Sequence, residues 1–177
     1  MVREFEGRPV PPARRVAVIV AEVNRFITDR LLDGALDELV RHGVESDQID
    51  VVRVPGSFEI PAAAATALRT GRYDALVALG CVLRGETDHY YFVGREAATG
   101  LATLAREHGV GIGFGILTCM TVEQALERSA DPHHMGRDAA RVALSMSQLL
   151  HALRQDCPTA RHDRLQPRDR AEAPTRP

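Results

Sequence analysis

Between an apolar run ending at Gly80 and a helical pattern beginning near His89 lies the stretch Cys81-Val82-Leu83-Arg84-Gly85-Glu86-Thr87-Asp88. Gly85 lets backbone approach a ligand closely, and the amides of Glu86, Thr87 and Asp88 are expected to open the helix, pointing free N–H groups at an anion. His89 follows in the first helical turn, placed to accept and return protons near neutral pH. A phosphate cradle beside a proton shuttle suggests chemistry on a small phosphorylated substrate. An ordinary strand-to-helix turn with a capping Thr is the simpler alternative, because anion-friendly helix starts are common.

Such a loop has to be held by a larger frame. A chain of 177 residues, 45% hydrophobic and 26% charged, suits one domain with a substantial core. The net charge of −2 gives no reason to expect a nucleic-acid or membrane partner, and no apolar run reaches spanning length. Every fixed positive side-chain charge is Arg; without Lys a Schiff-base lysine mechanism is excluded. Cys81, Cys119 and Cys157 are an odd, widely spaced set that reads as free thiols in a reducing compartment. With no signal peptide at the start of the sequence, the expected location is the cytoplasm. His133-His134 lacks a second ligand pair at a recognisable spacing, so no metal site is expected.

Residues 1–14 hold three prolines and little periodicity, the mark of an arm. The continuous apolar run at 16–21 reads as a strand buried on both faces of a parallel sheet, and 49–54, 74–80 and 111–118 read as three further strands. Helical spacing recurs over 26–42, 57–69, 89–107, 122–129 and 137–153, with Gly43, Gly71 and Gly109 as stops. Thr121 and Gln124 form a T-x-x-Q capping box for the fourth helix. Residues 156–177 are proline- and Arg-rich with little to bury, and are expected to be a disordered tail. Strand and helix alternate four times. The prediction is an α/β domain over 15–155: a flavodoxin-like three-layer α/β/α sandwich with a four-stranded parallel sheet and helices on both faces.

Three further stretches fall at the carboxyl ends of strands and should meet the opening loop: Ala21-Glu22-Val23-Asn24-Arg25-Phe26-Ile27-Thr28, Val54-Pro55-Gly56-Ser57-Phe58-Glu59-Ile60-Pro61, and Thr118-Cys119-Met120-Thr121 with Glu127-Arg128 downstream. With Gly80 to His89, this set resembles the lumazine synthases of riboflavin biosynthesis, over roughly residues 16–150. The resemblance implies joining of 5-amino-6-ribitylamino-2,4-pyrimidinedione to 3,4-dihydroxy-2-butanone 4-phosphate, with release of phosphate and water and no cofactor. It implies that His89 relays protons and that Arg128 pairs with the phosphate, with hydrogen bonds from Gly85, Glu86 and Thr87. It places Ser57 and Phe58 on the pyrimidine, Glu59 on the ribityl hydroxyls, and Val82 and Leu83 beside the ring. Val23 and Asn24 join the substrate site, and Phe114 completes it from a neighbouring subunit of a pentamer or multiple of pentamers.

Three positions depart from the family pattern. Val23 stands where the family usually carries an aromatic that stacks on the pyrimidine. The stretch 129–135 is slightly shorter than the usual loop and has no Lys, and Tyr91 stands where an acid is common. A flavin- or lumazine-binding or shell-forming paralogue with weak synthase activity is the alternative that Val23 and this loop favour.

Overall fold

The computed structural model describes residues 2–12 and 14–156, so the expected tail at 156–177, apart from Asp156, lies outside the described residues. Four strands, β1 (Arg15–Ala21), β2 (Ile49–Val54), β3 (Tyr73–Leu83) and β4 (Gly111–Cys119), form one parallel sheet in the order β2-β1-β3-β4. Five helices connect and follow them: α1 (Arg25–Arg41), α2 (Ile60–Arg69), α3 (His89–His108), α4 (Val122–Arg128) and α5 (Met135–Asp156). Successive strand side chains point to opposite faces, and β1 is apolar on both. Val16, Val18 and Val20 of β1 pack with Ile27, Leu31 and Leu39 of α1 and with Ala140 and Leu144 of α5. Ala17, Ile19 and Ala21 face the other way, among Ile60 and Ala64 of α2 and Ala97 and Leu101 of α3. This is the three-layer sandwich expected from the alternation of strand and helix.

The helix stops are also where the glycines place them. Gly43, Gly71 and Gly109 all have positive φ, the conformation that ends a helix most easily without a Cβ. The capping box of α4 forms with a shift. Thr121 Oγ1 accepts from Gln124 N at 3.3 Å, but Gln124 Oε1 accepts from Met120 N at 2.9 Å, one residue earlier than a reciprocal box requires.

Three boundaries differ from expectation by more than one residue: α2 starts at Ile60 rather than 57, because Ser57–Glu59 form a separate 3-10 turn, and β3 and α5 are longer. β3 runs past Gly80 to Leu83, because Cys81, Val82 and Leu83 continue to pair with Leu117, Thr118 and Cys119 of β4. Gly80 is a packing device rather than a strand stop: a Cβ there would lie 2.4 Å from Ser57 Oγ. α5 starts at Met135, two residues before the expected start, and continues to Asp156. The loop before it is pinned by His134, whose ring packs so closely on Gly34 of α1 that a Cβ there would lie 2.1 Å away. The arm follows α5 of its own chain: Arg8 N donates to Gln148 Oε1 at 3.1 Å, Arg3 pairs with Asp156, and Gly7 lies against the Ser145 carbonyl.

At the opposite end from the strand carboxyl termini, three strands are tied by one carboxylate. Arg15 donates twice to Asp50, at 2.7 Å each, and the Tyr73 hydroxyl donates to the same carboxylate at 2.9 Å. The Arg15 bonds, helped by Tyr73 and opposed by burial, hold Asp50 at about 2, below its ordinary 3.8. Because the folded value is depressed, this stabilisation is complete above about pH 4 and is lost as the pH falls toward 2. Asp50→Asn should cost about 1 kcal/mol at pH 7, since partial exposure of both partners weakens the charge-assisted bonds. Thermal melts between pH 7 and pH 3 check this: wild type and variant should converge in acid, and a constant gap would mean the carboxylate is not what titrates.

Candidate active site

β1 pairs with β3 only as far as Val20 opposite Leu79, while β3 and β4 continue together to Leu83 opposite Cys119. The step leaves a cleft at the carboxyl end of β3, where the strand order reverses direction and open α/β sheets place their ligands. Its volume is about 630 Å³, in the range of small-molecule sites. One wall is the turn after β1, with Val23 and Asn24; a second is the turn after β2, with Ser57, Phe58 and Glu59. The floor and far side come from Val82, Leu83, Gly85, Thr87 and His89. These residues are far apart in sequence, and the fold brings all ten together.

Each wall has a local cause. Asn24 takes the left-handed conformation, φ 57°, which turns the chain sharply from β1 into α1. Ser57 to Glu59 form a single 3-10 turn, with the Ser57 side chain buried in the space that Gly80 leaves open. Phe58 is therefore left 56% exposed, with Glu59 beside it at the cleft. The Glu59 carboxylate lies against Gly56, where a Cβ would be 3.0 Å from Oε2.

The loop at 84–88 is anchored at its start by Arg84 N donating to Cys119 O at 2.9 Å. The helix after it opens at His89, where the spacing over 89–107 puts it. Tyr91 N and Phe92 N both donate to Asp88 O, at 3.0 and 3.3 Å, which makes Asp88 the cap and His89 the first helical residue. The amides of Glu86 and Thr87 therefore belong to the loop ahead of the helix, not to its first turn. A Cβ on Gly85 would meet nothing within 4 Å, so the protein leaves open space beside this backbone.

Three expected residues are not in the cleft lining. Glu86 lies in the loop between Gly85 and Thr87, both of which line it. Arg128 ends α4, with Nη1 donating to Gln124 O at 3.4 Å and lying 4.0 Å from Glu127 Oε2. It stands near Cys119, the residue that anchors Arg84, so it flanks the same corner as the 84–88 loop. Phe114 sits on β4 opposite Ala78, on the α2–α3 side of the sheet, and is 41% exposed. Within a single chain it is not part of the cleft.

Pro55, Gly56 and Cys81, inside the stretches expected to converge but given no role, complete the lining with Tyr90, Phe92 and Val93, which sequence reading missed. Phe92 and Val93 were within reach: they stand three and four residues after His89 and so share its helix face. Tyr90 stacks near Arg84, with the guanidinium carbon 5.7 Å from the ring centre. Burial pushes the Cys81 thiol up to about 12 and also raises Cys119, against the opposing charge of Arg128. Both are neutral thiols at pH 7, so neither is a thiolate nucleophile. No helix among the described residues is long and apolar enough to cross a membrane.

Comparison with known proteins agrees with this geometry. Residues 13–151 match the family model for 6,7-dimethyl-8-ribityllumazine synthase. A protein of Synechococcus sp. (strain WH7803) named 6,7-dimethyl-8-ribityllumazine synthase is 47% identical over 157 residues, covering 86% of this chain and 98% of its own length. The cleft at the end of β3, the match along nearly all of the sandwich and this identity give one conclusion: the chain belongs to the 6,7-dimethyl-8-ribityllumazine synthase family.

Proposed function

We propose that the protein condenses 5-amino-6-ribitylamino-2,4-pyrimidinedione with 3,4-dihydroxy-2-butanone 4-phosphate to 6,7-dimethyl-8-ribityllumazine. The observation that carries the reading is the assembly of three separated turns and His89 around one cleft. The substrate amine adds to the ketone and loses water to give an imine. Phosphate then leaves, and ring closure with a second loss of water completes the product. No electron is transferred, so the steps need proton movement and alignment only.

The roles are those the family resemblance implies, and the ten residues gathered in the cleft support them. The 3-10 turn offers Phe58 and its own backbone to the pyrimidine, and Glu59 accepts from ribityl hydroxyls. Val82 and Leu83 bracket the ring, with Val23 and Asn24 across from them. Gly85, Glu86 and Thr87 hydrogen-bond the phosphate, and Arg128 turns its guanidinium to the leaving dianion as a two-pronged donor. His89, at the mouth between ring and phosphate, moves protons in each dehydration. Holding two reactants together supplies much of the rate. Phe114 covers the cleft of the next subunit in a ring of at least five chains. The 41% exposure of Phe114 and the 58% exposure of Phe92 on α3 support that assembly, because large apolar side chains left open in one chain mark a surface for another.

Absorbance of lumazine formed from the two purified substrates tests the reaction; a protein that binds both and forms none would refute it. His89→Ala should lower kcat by about 10²-fold, the low end for a general acid–base group, with the melting temperature unchanged. An unaltered kcat would remove His89 from the chemistry. Arg128→Ala should raise KM for the phosphorylated ketone far more than for the pyrimidine, because roughly 1.5–3 kcal/mol of charge-assisted bonding is lost. Equal changes in both constants would show that Arg128 only ends its helix.

A further inference from the structure

We propose that Asn24 is a positioning residue: a strut from the turn after β1 to the end of β3 that fixes the width of the cleft. The inference rests on the cleft being the substrate site. Among the described residues, Asn24 is the one non-glycine with positive φ. At a helix start an Asn side chain ordinarily turns back onto the helix's own amides. Here it makes no such bond. Asn24 Nδ2 instead reaches across the floor and donates to Cys81 O at 2.9 Å.

The Cys81 carbonyl needs that donor. Cys81 is buried, and the β1 ladder has ended two residues earlier on β3, at Leu79. A buried carbonyl beyond the last strand partner is costly unless another group bonds to it. The Asn24 amide thus takes the place of the missing strand. The other side of the same turn is tied to β2, with Glu22 N donating to Val54 O at 2.9 Å and Val23 N to Pro55 O at 3.2 Å. The turn is therefore a bridge between the strands flanking β1, and Val23 is the side chain it holds over the cleft. The β2 side is held by backbone, which substitution does not remove. The β3 side depends on one amide group.

Asn24→Gly tests this in the full-length assembled protein, because glycine takes the left-handed conformation freely and removes only the strut. Asn24→Asp keeps the size and the tolerance for that conformation but has no N–H for Cys81. Hydrogen exchange over residues 22–28 should quicken roughly 3–10-fold in both variants, the change expected for one net hydrogen bond, while α5 stays as in the wild type. KM for the pyrimidine should rise by a similar factor, about 3–10-fold, and KM for the phosphorylated ketone should stay put. Unchanged exchange in Asn24→Gly overturns the strut, even if KM rises, because the side chain would then act as a ligand contact alone. Wild-type behaviour of Asn24→Asp overturns it too, since the donor would not matter. A wild-type protein that forms no lumazine would refute the reaction assigned above; the exchange measurement would still decide whether the strut exists.

Discussion

The site depends on the sheet's uneven edge. β1 stops pairing with β3 at Leu79, and β3 continues with β4 for four more residues. Had β1 continued as far, its backbone would occupy the space now open to Val82 and Leu83, and the turns after β1 and β2 would be displaced outward. The step also leaves backbone groups without strand partners, so the chain must satisfy them by other means. The left-handed Asn24 answers that constraint through its bond to the Cys81 carbonyl, while the Ser57 turn seated on Gly80 and the anchoring of Arg84 to Cys119 fix the neighbouring turns. Each also aims a cleft-lining turn.

The same single chain carries surfaces that its own core does not use. α3 buries only Gly94, Ala97 and Leu101, while Phe92 and Tyr91 stay largely exposed. A shallow groove between α2 and α3 is lined by Phe58, Pro61, Ala62, Gly100 and Leu104. Gly100 lies so close to Pro61 that a Cβ would come within 2.7 Å, so the two helices already touch at the groove's base. Apolar surface of this kind next to a cleft suits a site completed by a neighbour. In the proposed assembly the neighbour brings an aromatic ring to a cleft whose β1 turn carries Val23 rather than a ring.

Much of this was legible from the residue pattern. Apolar runs of strand length separated by helical spacing set the sandwich, and three glycines marked helix ends that the structure confirms. Ten of the expected site residues line one cleft because motifs at strand carboxyl ends must converge in this topology. What periodicity did not show was mostly long-range. Gly80 resembles a strand stop locally; its packing against Ser57, more than twenty residues away, is what keeps it in β3. The start of α5 depends on His134 fitting Gly34, and the bond from Asn24 to Cys81 joins positions that no local pattern relates. The placement of Phe114 away from the cleft is a property of the fold in one chain, and its proposed role belongs to the space between two.

A subunit-mixing experiment tests the central claim, that one chain's cleft and the next chain's Phe114 make a single lumazine-forming site. Two impaired parents would be prepared, one with His89→Ala and one with Phe114→Ala, then dissociated and reassembled together. Random mixing joins an intact His89 cleft to an intact Phe114 at about a quarter of the interfaces, so activity should rise well above the mean of the parents. Activity that stays at that mean, in assemblies shown by native mass spectrometry to contain both chains, would contradict the shared site.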